Sequence, residues 1–219
     1  MSSFEKNKKE SLEFFVTTVF FIGACLLLSF FFPSKNEIQN LIGNLFFLVI
    51  APILYIKFIL KEKISQFGLN LKNKREGFLW GSLMFILSCA TMYLLMTKTS
   101  FLSSYEVLVS MTKDFSIFLL MILVFFNFIL FIQEYFFHGF ILSFFSLYIG
   151  KWAILIQFGI YFLTILIFKQ NLWNFFPSLI LSLTGGVTAY RTQSMVYSYL
   201  SGLLFLIFFN AYLVYLAKI

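Results

Sequence analysis

The stretch from Phe126 to Phe145, FNFILFIQEYFFHGFILSFF, decides the fold, because it is long and apolar enough to lie in a membrane. It carries one carboxylate, Glu134, and the only histidine of the chain, His138. An ionisable side chain costs about 2.5–3.5 kcal/mol at the centre of a bilayer on insertion scales, so Glu134 is expected to face protein rather than lipid. A spacing of four residues puts His138 on the same helix face. The stretch therefore predicts a buried polar cavity inside a bundle of membrane helices.

The composition of the whole chain supports the same fold class. Of 219 residues, 61% are hydrophobic and 11% are charged, too few polar side chains to cover a soluble domain. The net charge of +7 comes from basic residues that lie between apolar runs, which fits membrane topology and not a nucleic-acid groove. We expect an all-α, polytopic membrane helical bundle over residues 1–219, a single domain whose partner is the lipid bilayer and not nucleic acid.

Apolar runs along the chain predict the membrane helices. Residues 115–150 form a run that is too long for one perpendicular span, so we expect a helix that ends near Phe131, a tight break, and a second helix from about Gln133. With the other runs this makes about seven to eight membrane helices. The other predicted spans are Phe14 to Phe32, Leu41 to Leu60, Phe78 to Met96, Trp152 to Phe168, Asn174 to Tyr190 and Met195 to Ala217.

Basic residues after the second span predict the orientation. This connection contains six Lys or Arg residues between Lys57 and Arg75, and such loops face the cytoplasm. The tail at residues 1–13 then also lies in the cytoplasm, and the protein is a multi-pass protein of the cell membrane. Four apolar residues of the connection are expected in the headgroup plane: Ile64, Phe67, Leu69 and Leu71.

The titratable residues exclude two kinds of hydrolytic site. With one histidine, the chain cannot provide the ligands of an HExxH zinc site, and we expect no metal and no cofactor. A Ser-His-Asp site lacks an acidic residue in the later spans to orient the histidine. A purely structural hydrogen bond between Glu134 and His138 remains an alternative to a functional pair.

Three segments of the chain resemble the CPBP family of membrane proteins, the CAAX-protease and bacteriocin-processing family, also called Abi. QEYFFHGFILSFF, residues 133–145, resembles its first motif, which reads EExxxR before glycine and apolar residues. KISQFGLNLKNKREGFLWG, residues 63–81, resembles its basic connection that contains FGL. GGVTAYRTQSMVYSYLSG, residues 185–202, resembles its helix end, RTGS turn and next helix. The resemblance covers roughly residues 64–210.

The resemblance implies a catalytic site whose residues are mostly replaced here. In active members the first glutamate of the motif activates water for attack on a peptide bond, helped by two histidines and an Asn or Asp. Gln133 stands at the first glutamate, Glu134 at the second, and His138 replaces the arginine. The other catalytic positions are occupied by Leu166, Gly202 and Phe205.

These replacements decide which function is expected. An amide cannot accept the proton of an attacking water, and general-base help accounts for about 10² to 10⁴ in rate. The expected function is that of a degenerate peptidase relative that binds a peptide, a lipid-anchored protein tail or a membrane protein. One alternative is an active, divergent endopeptidase that uses Glu134 and His138 on lipidated or bacteriocin-like peptides at the cytoplasmic face. The other is a small transporter subunit in which the pair serves a proton path.

Overall fold

The computed structural model describes residues 10–105, 115–167 and 172–216, and within these ranges the chain is helical without strands. The all-α prediction is therefore confirmed. Residues 1–9 of the predicted cytoplasmic tail lie outside the described ranges. The long helices are α1 Glu10–Phe31, α2 Glu37–Leu60, α3 Lys74–Lys98, α4 residues 115–149, α5 Ala153–Ile167, α6 Leu172–Thr192 and α7 Met195–Leu216.

Several of these helices are built to lie in a bilayer. Within the described residues, five helical runs are long and apolar enough to cross a membrane, so the chain is a membrane protein. They are Leu12–Phe31, Glu37–Leu60, Lys74–Lys98, Ser116–Ile167 and Met195–Leu216. The fourth run contains both α4 and α5.

Helix α4 is continuous, so the predicted break between Phe131 and Gln133 is wrong. Residues 115–138 contain neither glycine nor proline, so nothing in the backbone interrupts the helix there. The helix instead widens in two π-helical segments, Met121–Phe126 and Glu134–Ile141. Such widened turns are rare and occur frequently at functional sites. At about 1.5 Å per residue α4 extends up to roughly 50 Å, so it must tilt or extend beyond the roughly 30 Å hydrocarbon core.

Helix α6 is the central helix of the bundle. It packs against α3, α5, α7 and the second π-helical segment of α4. Its buried polar residues include Ser182, Thr184 and Thr188. Thr184 Oγ1 lies 3.0 Å from Ser88 Oγ of α3, a hydroxyl pair that links the two helices. Because protein surrounds α6, its polar side chains find partners that lipid could not offer.

The connection between α2 and α3 docks onto the bundle. Phe67 is 3% exposed, so its predicted position in the headgroup plane is wrong, whereas Leu71 is 58% exposed. The reason lies in the tight turn at Gly68, whose φ of 84° suits glycine. The Gly68 carbonyl accepts a hydrogen bond of 2.9 Å from the Met195 N–H, which fixes the connection to the start of α7.

Candidate functional site

Five buried polar side chains from four helices meet in the centre of the bundle, and we call them the core polar cluster. They are Glu134 and His138 of α4, Gln157 of α5, Ser182 of α6 and Ser198 of α7. Glu134 is 2% exposed and His138 is 4% exposed. The expectation that both side chains share one face of a helix and face protein is confirmed.

The hydrogen bonds of His138 determine where its protons lie. Its Nε2 is 2.9 Å from the Ser182 carbonyl oxygen, which can only accept, so Nε2 carries a proton. Its Nδ1 is 2.6 Å from Oε2 of Glu134. That contact is favourable only when one proton lies between nitrogen and oxygen, as imidazolium with carboxylate or as imidazole with carboxylic acid. In either form the pair has no net charge, which lowers the cost of its burial.

The hydroxyl of Ser198 joins this pair from α7. It donates a short hydrogen bond to Glu134 Oε2 and lies 3.1 Å from His138 Nδ1. In a Ser-His-Asp triad the serine and the carboxylate bind opposite nitrogens of the imidazole. Here the Ser198 hydroxyl and the Glu134 carboxyl group both contact Nδ1, and Nε2 is hydrogen-bonded to the Ser182 carbonyl oxygen. Ser198 is therefore a hydrogen-bond donor to Glu134 and not a nucleophile activated by His138.

Two glycines of α6 make room for the cluster. A Cβ atom at Gly185 would lie 2.6 Å from both His138 Cε1 and Ser198 Oγ. A Cβ atom at Gly186 would lie 2.9 Å from Gln157 Oε1. Real Cβ atoms are essentially never that close to other heavy atoms, so the glycines allow the imidazole and the amide to approach the helix.

A small cavity of about 20 Å³ lies beside the cluster, with room for about one water molecule. Among the described residues, the hydrogen bonds of the Glu134 carboxylate go to Oε2, and Oε1 receives none. A Cβ atom added at Gly202 would lie 3.7 Å from this Oε1, so Gly202 lies next to the carboxylate. The polar residues that line the cavity are Gln133, Glu134, His138, Tyr161, Ser178 and Ser182.

The structure brings most of the residues singled out by sequence to this cavity. Gln133 and Glu134 both line it, and Gly202 lies beside the carboxylate. Phe205 is 1% exposed and belongs to an apolar cluster with two cavity-lining leucines. Leu166, by contrast, is 43% exposed on the outer side of α5, so the structure does not bring it to the site.

Four residues of the site were not found by sequence reasoning: Gln157, Tyr161, Ser182 and Ser198. Gln157 Nε2 donates a hydrogen bond of 2.9 Å to Ser182 Oγ, and this bond joins α5 to α6. Its signal in the sequence was an isolated amide in an apolar run, with Tyr161 four residues later on the same face. Ser198 had a weaker signal: it lies four residues before Gly202, so the two share one face of a helix. Ser182 had none, because its backbone carbonyl contacts the histidine.

Comparisons of the chain with protein-family models, with curated proteins and with solved structures give no match. The resemblance to the CPBP family stays a prediction that rests on three sequence segments. In the structure the three segments touch one another. A Cβ atom at Gly68 would lie 3.2 Å from Gly139 Cα and 3.1 Å from Met195 N.

Proposed function

We propose that the chain is a CPBP-like membrane protein without hydrolytic activity, which acts by binding a peptide, a lipid-anchored tail or a membrane-protein partner. One observation carries this proposal. Both nitrogens of the only histidine are engaged in fixed hydrogen bonds, one with a backbone carbonyl and one with Glu134. The chain thus retains a polar centre between helices, but its titratable groups are bound to each other.

Peptide hydrolysis would need groups that the site does not present. A general base must take a proton from water, and Glu134 Oε2 already meets Ser198 and His138. Gln133, at the position of the first glutamate, ends in an amide, which is not a base at neutral pH. Loss of one oxyanion donor alone costs about 10² to 10³ in rate. The cavity, at about 20 Å³, has room for water and not for a peptide bond with its neighbours.

The orientation belongs to the same proposal. We infer a protein of the cell membrane whose amino terminus and connection 61–73 face the cytoplasm. The support is the concentration of Lys61, Lys63, Lys72, Lys74 and Arg75 in and beside that connection, as the positive-inside rule describes. A partner with a cytoplasmic tail would meet the protein on this side.

The first experiment measures peptide-bond hydrolysis by the purified protein in lipid nanodiscs. The substrates are a mixed pool of lipidated and unlipidated peptide tails, and Glu134→Ala is measured in parallel. We expect no turnover by either protein, with an active CPBP peptidase as positive control in the same pool. Turnover by the wild type that Glu134→Ala abolishes would overturn the proposal.

Binding is the positive prediction and needs its own measurement. The same peptides, each with a fluorophore, are titrated with wild-type protein in nanodiscs, and empty nanodiscs are the control. We expect saturable binding to the protein above the binding to empty nanodiscs. If every peptide class binds protein-containing and empty nanodiscs equally, peptides and lipidated tails are excluded as the partner.

An active divergent endopeptidase is the second candidate, and one observation favours it. Glu134 lines a cavity with room for about one water, and its Oε1 accepts no hydrogen bond from the described residues. A carboxylate oxygen in that position could take the proton of a water molecule. Loss of turnover in Glu134→Gln, with retained turnover in Ser198→Ala, would support this candidate over the first.

A further inference from the structure

The outer side of the α3–α7 pair carries two apolar grooves, one beyond the other. The near groove, beside the first turns of both helices, has a volume of about 360 Å³. The far groove has a volume of about 310 Å³ and lies beside their later turns. The rings of Phe85 and Phe208, with centroids 5.7 Å apart, separate the two.

The near groove matches one leaflet of a bilayer in length. It is lined from Gly77 to Phe85 on α3 and from Tyr197 to Leu204 on α7. Eight residues of α-helix rise about 12 Å, and one leaflet of hydrocarbon is roughly 15 Å deep. Its exposed walls are Phe78, Leu200 and Leu204. An extended acyl chain has the length and the flexibility to fill such a groove.

The small residues of this groove are not free to receive a helix from another protein. Membrane helices associate closely where small residues leave space for a second backbone. A Cβ atom at Gly77 would lie 2.5 Å from the Tyr197 ring, and one at Gly81 would lie 3.6 Å from the Tyr197 carbonyl oxygen. The space at both glycines is thus used within the chain, by α7. What remains is a groove with aromatic and branched walls, which favours a lipid chain over a packed helix.

Two exposed cations lie at the open end of the near groove. They are Lys74 and Arg75, in the first turn of α3. Residues three or four apart lie on the same helix face, and Phe78 of the groove wall follows Arg75 by three residues and Lys74 by four. Both cations therefore lie above the groove. In the part of the chain that the structure describes, neither makes an ion pair.

The neighbouring charges are engaged elsewhere. Glu76 Oε2 accepts a hydrogen bond of 3.1 Å from Trp80 Nε1. The Arg191 guanidinium lies over the same indole ring, 5.0 Å from its centroid. Trp80 does not line the groove, so these two charges flank the other side of α3. Arg191 is therefore a matched control, a cation at the same end of the bundle that is stacked on an aromatic ring.

We propose that the near groove is a binding site for one anionic phospholipid. An acyl chain lies between α3 and α7, and the phosphate is bound by Lys74 and Arg75. Ammonium and guanidinium groups both donate charge-assisted hydrogen bonds to phosphate oxygens. Basic residues beside a membrane helix attract anionic lipids in this way. The far groove lacks such a pair of cations from α3.

Native mass spectrometry of the full chain tests the site. The protein is equilibrated with equal amounts of phosphatidylglycerol and phosphatidylcholine that have the same acyl chains, and retained lipids are counted. We expect one retained phosphatidylglycerol, with a preference over phosphatidylcholine of about fivefold or more from the two cations. The double variant Lys74→Gln/Arg75→Gln should lose this preference, and Arg191→Gln should keep it.

A groove variant and a fold control complete the test. Ser82→Leu adds bulk to the groove away from the cations and should lower retention of both lipids. Thermal unfolding within a few degrees of wild type identifies variants that keep the fold, and both exposed-cation variants should meet this criterion. Equal retention of the two lipids by wild type would overturn the proposal. So would a preference that survives Lys74→Gln/Arg75→Gln, or a protein dimer that occupies the groove and that Ser82→Leu dissociates.

Discussion

Two serines of α7, three residues apart, show how its two faces differ. Ser198 lies on the inner face, is 1% exposed and donates to the Glu134 carboxylate across the helix interface. Ser201 lies on the outer face and lines the near groove. Its hydroxyl donates a hydrogen bond of 2.9 Å to the Ser198 carbonyl oxygen of its own helix. The residue type is the same, but among the described residues Ser198 has a partner on another helix and Ser201 bonds within its own. In a membrane bundle the groups across the interface decide what a polar side chain does.

The two faces should therefore respond differently to mutation. On the inner face every polar group of the Glu134–His138–Ser198 set depends on the others, so removal of one leaves a buried group without a partner. On the outer face the walls contact lipid, which adapts to a changed shape. The largest loss of stability is therefore expected when the Glu134–His138 pair is broken, and the losses should be small on the outer face.

The largest effect is expected for His138→Leu, which leaves Glu134 buried without its charge partner. Breaking one side of a buried pair costs about 3–5 kcal/mol, and we expect a loss of that size in the free energy of unfolding. It is measured by reversible unfolding in mixed micelles. The double variant Glu134→Leu/His138→Leu should recover most of the loss, because two apolar groups need no partner. If the double variant is less stable than His138→Leu, the pair is not coupled as described.

Gly185→Ala should have the second-largest effect on stability, because the added Cβ atom would lie 2.6 Å from His138 Cε1 and from Ser198 Oγ. Overpacking of this kind costs about 1–3 kcal/mol in the free energy of unfolding. Gly159→Ala is the matched control, since no atom outside its own helix lies within 4 Å of a Cβ there. The control should be neutral or stabilised by up to about 1 kcal/mol. Equal losses in the two variants would contradict the packing described at Gly185.

The two serines give the direct contrast between the faces. Ser198→Ala removes a donor to a buried carboxylate and should lower the free energy of unfolding by about 1–2 kcal/mol. Ser201→Ala removes a bond within one helix and should stay within about 0.5 kcal/mol of wild type. Both are measured in the same unfolding experiment. Indistinguishable values for the two variants would remove the distinction between inner and outer face.

Within the core polar cluster, the smallest effect is expected for Glu134→Gln. The amide keeps the volume of the side chain, and its NH₂ group in place of Oε2 can donate one hydrogen bond to His138 Nδ1 and one to Ser198 Oγ. The exchange turns charge-assisted hydrogen bonds into neutral ones, so a loss of about 1 kcal/mol is expected in the free energy of unfolding. A loss as large as that of His138→Leu would mean that the negative charge itself holds the bundle together.

The sequence predicted the helices and the inward face of Glu134 and His138 because both follow from local patterns. Apolar runs of bilayer length mark helices, and a spacing of four marks a shared face. The predicted break near Phe131 was wrong because residues 115–138, without glycine or proline, continue as one helix. The π-helical segment Glu134–Ile141 of that helix has no signature in the sequence. The buried position of Phe67 depends on the contact of Gly68 with α7, far away in the chain.

The partners of the site depend on how helices meet, which a single sequence does not encode locally. Ser198 reaches Glu134 only because α7 and α4 pack at one rotation about their axes. Leu166 shows how sensitive a helical register is. One residue earlier on α5, Ile165 is buried at 4% exposure, because each step along a helix turns the side chain by about 100°. A comparison by motif spacing alone can therefore choose an outward residue.

The central claim is that both nitrogens of His138 are committed to fixed partners, and the chain permits a direct test. Because His138 is the only histidine, labelling with ¹⁵N-histidine gives NMR signals from this imidazole alone. In lipid nanodiscs or bilayers we expect a protonated Nε2, and an Nδ1 whose shift shows a strong hydrogen bond that Glu134→Ala abolishes. An unprotonated Nε2, or an Nδ1 signal unchanged in Glu134→Ala, would contradict the account and reopen His138 as a catalytic base.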